Sequence, residues 1–527
     1  MLALEKEWIP LCNKIDLLEI LKARGIKDED IPLFIWPEKF AKEVEPDCFY
    51  GLRDAVKRTF QAILNNGSIM VVADVDADGV TSGAIVYNAL YNYVHSLKRL
   101  DIVVGNRKVH GLAQHEIFSD YDLVIACDSG SDEYEYYKQS YACDTEIVIL
   151  DHHKADHISE YAYIVNPEMN PVKNSCLSGS GVCLKFVEML SEDWEFGRIP
   201  YDLATVGIIA DMMDMRYEDN RAICMKGFDD VQNKGIKAAL RGYQFNSDSV
   251  KFSIAPLVNA AQRMNRNDLA LELFLDTTTQ ERCEAIVEEL KACKEEQKVY
   301  VEEGVQRANI VEHDKFVFAS IEKDKNLDSL SGLMATMISK DYQKPTIFLR
   351  KEGEIWSGSM RTYGVPNFRT IINETKLAVS DGHEEAAGIR VKKENIPKFI
   401  EELEKSLPDF QNKKIIVDAE LDSLEELTLS NVEKIDKINE ITGECFEPIT
   451  IMVSGIEPDK VSVLNGKHSK IICGNITLLL WNNTKPVDDW PRNKWRCFDI
   501  VGVPTISRYR MKDEINVIVS DIYYEVE

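Results

Sequence analysis

"SIMVVADVDADG", residues 68–79, joins a short apolar run to three acids at alternate positions. The apolar half reads as a buried strand, and the acids lie just past its carboxyl end. The same shape recurs three times. "DLVIACDS" (122–129) delivers Asp128, "EIVILDHH" (146–153) delivers Asp151, His152 and His153, and "TVGIIADMMD" (205–214) delivers Asp211. From 68 to about 225 such runs alternate with helical patterns, the rhythm of a parallel sheet in an α/β domain. In an open α/β sheet the functional crevice lies beyond the carboxyl ends of the strands. Four runs, each read as a strand, therefore aim Asp74, Asp76, Asp78, Asp128, His152, His153 and Asp211 at one edge. On an extended segment Asp76 and Asp78 would share a face.

Around this α/β core, assigned to 66–267, the chain divides further. Residues 1–65 read as helical and end in "GLRDAVKRTFQAIL". A Glu- and Lys-rich pattern without Pro over 268–308 predicts one long connecting helix, and 309–408 a smaller α/β domain with strands at "KFVFASI" and "PTIFLR". The remainder, 409–527, is a series of short β-like segments, from "KKIIVDAEL" to "INVIVSDIYYEV", read as a small OB-like β-barrel.

Composition bounds the function. A chain of 527 residues exceeds one core, so several domains are expected. The start "MLALEKEWIP" lacks a signal-peptide pattern and no apolar run is long enough to span a bilayer, which predicts a cytoplasmic protein without membrane attachment. The twelve cysteines contain no C-x-x-C pair, against a structural zinc site or a disulfide framework. A net charge of −27 works against binding polyanions through the overall field, so any nucleic acid must be gripped locally.

Clustered carboxylates repel one another, and a cation is the ready way to hold them together. Oxygen-rich ligands with one or two imidazoles suit Mn²⁺ or Mg²⁺. The acids outnumber the needs of one ion, and two ions sharing a carboxylate suit in-line displacement at phosphorus. Each piece alone has a plainer reading: a turn at 74–79, a cap at Asp128 or Asp211, a surface pair at 152–153. A calcium loop is excluded because no Glu follows at its twelfth position and the flank reads as strand. The joint occurrence in one domain carries the metal reading.

These residues resemble the four motifs of the DHH phosphoesterases: D-x-D-x-D-G at 74–79, Asp128, D-H-H at 151–153 and G-x-x-A-D at 207–211. Further segments resemble the RecJ-type single-strand exonucleases of that superfamily: "VGNRKVHGL" (104–112), "LSGSGVCLKF" (177–186), "PLVNAAQRMN" (256–265), "GSMRTY" (358–363) and "SDGHEEAAG" (380–388). The departures are Val72, where related enzymes carry a His; Asp381, where a Gly is usual; and the reduced "CFEPIT" (445–450) before the last domain. With the acidity, they point to a divergent, virus-type member.

The resemblance implies a DHH domain, a DHH-associated domain and an OB-like domain. It implies a two-metal 5′-to-3′ exonuclease on single-stranded DNA that releases 5′ mononucleotides, with Mn²⁺ preferred or Mg²⁺. Asp76, Asp78, Asp128, His152 and Asp211 would hold the ions, with Asp128 bridging and Asp74 and His153 in support. Arg263, Ser359 and Arg361 would bind a terminal 5′ phosphate, suited to it by the guanidinium fork. His383 would act near the scissile phosphate, and Arg107 lies in a loop that contacts the strand. In the last domain Arg508, Tyr509 and Arg510, with Trp481, Trp490 and Trp495 nearby in sequence, suit single strands through stacking and charge. The partners implied are single-stranded DNA and a single-strand-binding protein or other replication and recombination factors, with the chain a monomer. Two other readings stand beside this one: a phosphodiesterase of short oligonucleotides or cyclic dinucleotides, and an inactive DNA-binding replisome scaffold. On the sequence alone, removing the chain from about 411 leaves the metal site intact and reduces grip on long strands.

Overall fold

The structure, a computed structural model, describes residues 6–105, 111–155, 159–192, 197–408, 413–493, 497–508 and 513–524. It divides into two compact units. The first comprises 8–259, 267–287 and 416–527; the second comprises 1–7, 260–266 and 288–415.

The chain enters through a strand, β1 (Lys6–Cys12), so the N-terminal segment is not helical throughout. Helices follow, including Ile31–Ile35 and Leu52–Leu64. The parallel sheet is built from β2 (Ser68–Ala73), β3 (Arg99–Val104), β4 (Leu123–Cys127), β5 (Glu146–Leu150) and β6 (Tyr163–Val165). Its order is β3-β2-β4-β5-β6, with every neighbouring pair parallel. β2 and β4 are buried at every residue, which is why they read as unbroken apolar runs: helices cover both faces of such a sheet.

The predicted 268–308 helix is broken in two, Asn267–Phe274 and Gln280–Arg307. Between them lies "LDTTT", where Thr278 N–H donates to the Leu275 carbonyl and the Thr279 hydroxyl accepts from Arg282 N–H at 3.2 Å. Threonine hydroxyls compete for backbone groups in this way and cap a new helix rather than continue an old one.

The second unit holds a six-stranded sheet of β7 (Asn309–Glu312), β8 (Val317–Glu322), β9 (Thr346–Lys351), β10 (Ile355–Arg361), β11 (Ala378–Gly382) and β12 (Ala386–Lys392). The order is β11-β12-β10-β9-β8-β7, antiparallel except for β8 with β9. One core packs Phe368, Ile372, Phe399 and Leu403 on it, and another packs Met334, Ala335 and Ile338 of the helix Ser331–Tyr342.

The C-terminal strands are β13 (Lys413–Leu421), β14 (Ile451–Ile456), β15 (Lys460–Leu464), β16 (His468–Cys473), β17 (Ile476–Leu480), β18 (Phe498–Ser507) and β19 (Glu514–Tyr523). Their sheet runs β1-β13-β14-β18-β19-β17-β16-β15 and is not closed among the described residues. The expected barrel is therefore an open sheet with the N-terminal strand added at one edge. Short apolar segments read alike in open and closed sheets, because closure depends on which distant strands pair.

This sheet belongs to the same unit as the parallel sheet. Arg24 forms a bidentate pair with Asp418, both contacts at 2.6 Å. Arg221, fully buried, lies against the paired rings of Phe34 and Phe446, 4.5 and 5.1 Å from their centroids. Its Nη1 donates to the carbonyls of Met215 (3.2 Å) and Ile441 (3.3 Å), and Met215 N–H donates to the Glu444 carbonyl at 3.1 Å. The 441–446 segment is thus built into the wall of the loop that follows Asp211, against the expectation that the last domain can be removed freely. No helix among the described residues is long and apolar enough to cross a membrane.

Candidate metal centre

The sheet ladder runs one residue past three strands. Asp74 N–H donates to the Cys127 carbonyl, Asp128 N–H to that of Leu150, and Asp151 N–H to that of Val165. Asp74, Asp128 and Asp151 are thereby fixed side by side at the carboxyl edge.

Asp76 and Asp78 are not on an extended segment. Asp76 is the N-cap of the helix Ala77–Tyr93, where its carboxylate accepts from Gly79 N–H at 2.9 Å, and Asp78 is in the first turn. The cap turns the chain, so the two carboxylates face different partners. Asp78 accepts from the Ser178 hydroxyl (2.8 Å), Gly179 N–H (2.7 Å) and Ser180 N–H (3.0 Å). These groups open the helix Gly179–Leu190, whose start favours an anion. Each such bond to a charged acceptor contributes about 1.5–3 kcal/mol.

Asp211 is not at a strand end. It caps the C-terminus of the helix Tyr201–Ala210, almost wholly buried, and a helix buried all round shows no amphipathic period to distinguish it from a strand. Gly207 lets this helix approach, since a Cβ there would lie 2.1 Å from both Asp78 Oδ1 and Ser180 Oγ.

The side chains form three overlapping groups, each with ligand atoms within 4.8 Å of one another: Asp74, Asp76 and Asp128; Asp78, His152 and Asp211; Asp128, His152 and His153. Asp128 and His152 each belong to two groups. His152 Nε2 lies 3.3 Å from Asp128 Oδ1, 3.4 Å from Asp211 Oδ2 and 3.8 Å from Asp78 Oδ2. Asp128 Oδ1 and His152 Nε2 are both buried without a hydrogen-bond partner. Buried polar atoms left so need an explanation, and a bound cation supplies one.

Electrostatics say the same. Burial, then the neighbouring Asp78 and Asp76, hold the Asp128 carboxyl well above the usual range. Burial and the same two acids push Asp211 up to about 8, and burial with Asp74 and Asp78 pushes Asp76 up to about 6. Such acids ionise together only beside a positive charge. Burial lowers His152, against the pull of Asp78, and so favours the neutral imidazole that can ligate. The donor set fits divalent cations with oxygen preference.

His153 plays a different part. Its Nδ1 is 2.8 Å from Asp151 Oδ1, a bond that lifts the imidazole to about 9. Burial opposes ionisation of Asp151, yet its bonds with His153 and Ser131 draw it down to about 2. Asp151 also accepts from the backbone N–H groups of His152 (2.7 Å) and His153 (3.1 Å). It holds the His153 imidazole and the backbone of His152. Sequence reasoning gave no role to Asp151, Ser178, Gly179 or Ser180. The signals were present: a metal-ligating His needs a carboxylate on its other nitrogen, and S-G-S-G before an apolar run is a helix start. Val72, in place of the family's His, is a buried β2 residue.

In the second unit Ser359 and Arg361 come together at the start of the helix Ser331–Tyr342, with the Arg263 backbone beside the turn that precedes it. Ser359 Oγ lies 2.9 Å from Ser331 Oγ, Arg361 Nε donates to Thr336 Oγ1 at 3.1 Å, and a Cβ on Gly332 would lie 2.6 Å from Arg361 Nη2. Ser329 donates to the Arg263 carbonyl at 2.7 Å. His383 is exposed between β11 and β12, and Asp381 pairs with Arg390 at 2.6 Å. Arg508 is exposed and lies 3.8 Å from Asp436; Trp481 is half exposed, edge-on to His468. Arg107, Trp495, Tyr509 and Arg510 lie outside the described residues.

Residues 68–226 match the model of the DHH family, N-terminal domain, and 313–408 that of the DHHA1 domain. YorK, provisionally named an SPbeta prophage-derived single-strand DNA-specific exonuclease of Bacillus subtilis (strain 168), is 28% identical over 422 residues, 72% of this chain and 72% of its own. RecJ of the same organism, named a single-stranded-DNA-specific exonuclease, is 23% identical over 558 residues, 92% of this chain and 69% of its own. The crystal structure of RecJ in complex with Mn²⁺ from Thermus thermophilus has a TM-score of 0.74 at 20% identity, covering 98% of this chain and 80% of that one, a likeness of fold. With the acid cluster inside a DHH domain and a DHHA1 domain after it in sequence, the chain belongs to the DHH superfamily, and within it to the RecJ type.

Proposed function

We propose that this chain is a divalent-cation-dependent exonuclease that removes 5′ mononucleotides from single-stranded DNA, working from the 5′ end with two ions. The observation that carries the reading is the sharing of Asp128 and His152 between neighbouring ligand groups, because one carboxylate common to two sets is what two closely spaced ions require. When bound, the ions would supply an activated water and charge neutralisation at the phosphoryl group. Asp74, Asp76 and Asp128 make one set and Asp78, His152 and Asp211 the other; the third group, Asp128, His152 and His153, links them, so Asp128 would be the carboxylate common to both ions. Asp151 holds the His153 imidazole and the backbone of His152, and the Gly179 helix start holds Asp78.

The substrate class is supported by the names of YorK and RecJ. The 5′ polarity is supported by Ser359 and Arg361, a hydroxyl and a guanidinium group at a helix start suited to a terminal phosphate, and Arg263, whose backbone lies beside that start, is proposed to join them. His383 is part of the proposal as a group acting on the substrate. His383→Ala is expected to lower kcat with Mn²⁺ affinity unchanged.

The test is digestion of end-labelled single strands with Mn²⁺. Labelled mononucleotide should appear at once from 5′-labelled strands, and Asp128→Ala should abolish it while the protein stays folded. Near-wild-type turnover by that variant would remove the two-ion assignment. Release of the 5′ label as short oligonucleotides would favour an endonuclease, and strand binding without cleavage a scaffold.

A further inference from the structure

The helix Tyr201–Ala210 that presents Asp211 ends in a Schellman turn. Met213 N–H donates to the Ile208 carbonyl at 3.1 Å, and Met212 N–H to that of Ile209 at 3.2 Å. Glycine is the usual residue at the second position of this turn, because the backbone there is left-handed. Here it is Met212, with φ 55°. Most described non-glycine residues with positive φ are Asn or Asp, which tolerate that conformation by bonding locally. Methionine has no such compensation, so the turn carries strain that glycine would relieve.

Nor is the side chain held by packing. Met212 is 62% exposed, whereas Met215, three residues on, is buried. Its neighbour Asp211 reaches in to 3.4 Å from His152 Nε2, and adjacent Cα atoms are about 3.8 Å apart. An apolar, flexible side chain is thus kept exposed on the residue that follows Asp211, against local backbone preference. Strain retained beside a reaction centre points to use of the side chain there.

We propose that Met212 packs its thioether on one of the two bases that flank the scissile phosphate; the proposal rests on the single-strand nuclease reading above. The chemistry suits the task. A polarisable, uncharged group can lie on the face of any base without hydrogen-bond readout, so contact is tolerant of sequence and insensitive to salt. In a chain of net charge −27, a grip that needs no cations is an advantage.

Met212→Gly and Met212→Asn test this together. Three readouts are needed: the melting temperature, Mn²⁺ affinity by electron paramagnetic resonance, and hydrolysis of single strands. The strands carry either normal nucleotides or a tetrahydrofuran abasic residue at the first or second position. The melting temperature should stay level or rise, and Mn²⁺ affinity should not change. On normal strands kcat/KM should fall about ten-fold, mainly through KM and equally at low and high salt. With one of the abasic strands, wild type and variants should be equal. Wild-type kinetics in both variants, an equal loss on all strands, or a fall in melting temperature in both variants would overturn the role of Met212. Failure of the wild type to cleave any single strand would instead remove the nuclease reading, and this role with it.

Discussion

Replacing Gly179 with Ala would put a methyl carbon 2.3 Å from Asp128 Oδ1, 2.5 Å from its Cβ and 2.6 Å from its Cγ. Carbon contacts relax at about 3.5 Å, so something must move by about 1 Å. Neither side is free to do so harmlessly. The Gly179 helix start is tied to Asp78 through Ser178, Gly179 and Ser180, at 2.7 to 3.0 Å. Asp128 is tied to β5 through its own N–H, 2.8 Å from the Leu150 carbonyl. Whichever gives way, one ligand carboxylate is displaced. A misplacement of that size costs about 10²-fold in rate, while overpacking costs about 1–3 kcal/mol of stability, short of unfolding. Single-turnover hydrolysis of a labelled strand at saturating Mn²⁺ gives the rate, and paramagnetic titration gives Mn²⁺ affinity. Ser178→Ala, which removes one bond without adding volume, should cost about ten-fold. Gly179→Ala with wild-type turnover and affinity would show that the close approach of this helix to Asp128 does not govern the ligand geometry.

The pH dependence of the metal-free protein follows from the same cluster. Asp76 and Asp211, raised to about 6 and about 8, hold protons that the unfolded chain releases near its ordinary value of about 3.9, so stability falls as pH rises between these limits. The gain in melting temperature on adding Mn²⁺ should therefore grow from about pH 5 to about pH 8, and a flat gain would contradict it. Ending the chain at 415 should destroy Mn²⁺ binding, and Phe446→Ala should cost about 3–5 kcal/mol in urea titration. A soluble, cooperative fragment that still binds Mn²⁺ would restore the removable-domain view. Arg263→Ala or Arg361→Ala should reduce the preference for a 5′-phosphate over a 5′-hydroxyl strand by about ten-fold, with Mn²⁺ affinity unchanged. Equal digestion of both strands by the wild type would count against 5′ phosphate recognition.

What could be read from the sequence was local. β2, β4 and β5 announce themselves because a strand buried on both faces is a run of apolar residues, and the acid that follows each is at the functional edge by topology alone. Asp211 was found but given the wrong support, because the helix before it is buried on nearly every side and its last residues, Val206 to Ala210, read as an apolar run. Asp76 was a legible N-cap, with Gly three residues on, yet was read as extended. The strand order of the last sheet was not legible, since it depends on β1 pairing with β13 across most of the chain. Nor was Arg221. In "YEDNRAICMK" it resembles any surface arginine, and only Phe34 and Phe446, far away in both directions, make it interior.

That arginine also sets a schedule. Arg221 and the carbonyl of Ile441 are 220 positions apart, and the Met215 N–H of the Asp211 loop gains its partner, the Glu444 carbonyl, only when that downstream segment is made. At roughly 5–20 residues per second, translation leaves a wait on the order of ten to forty seconds. During it the guanidinium lacks one of its two rings, and Met215 has neither the Glu444 carbonyl nor its clip to Ile441. The ligand set of the parallel sheet, encoded early, is completed late. A nascent chain stalled before residue 446 carries every acid and imidazole of the cluster and still lacks the wall behind Asp211.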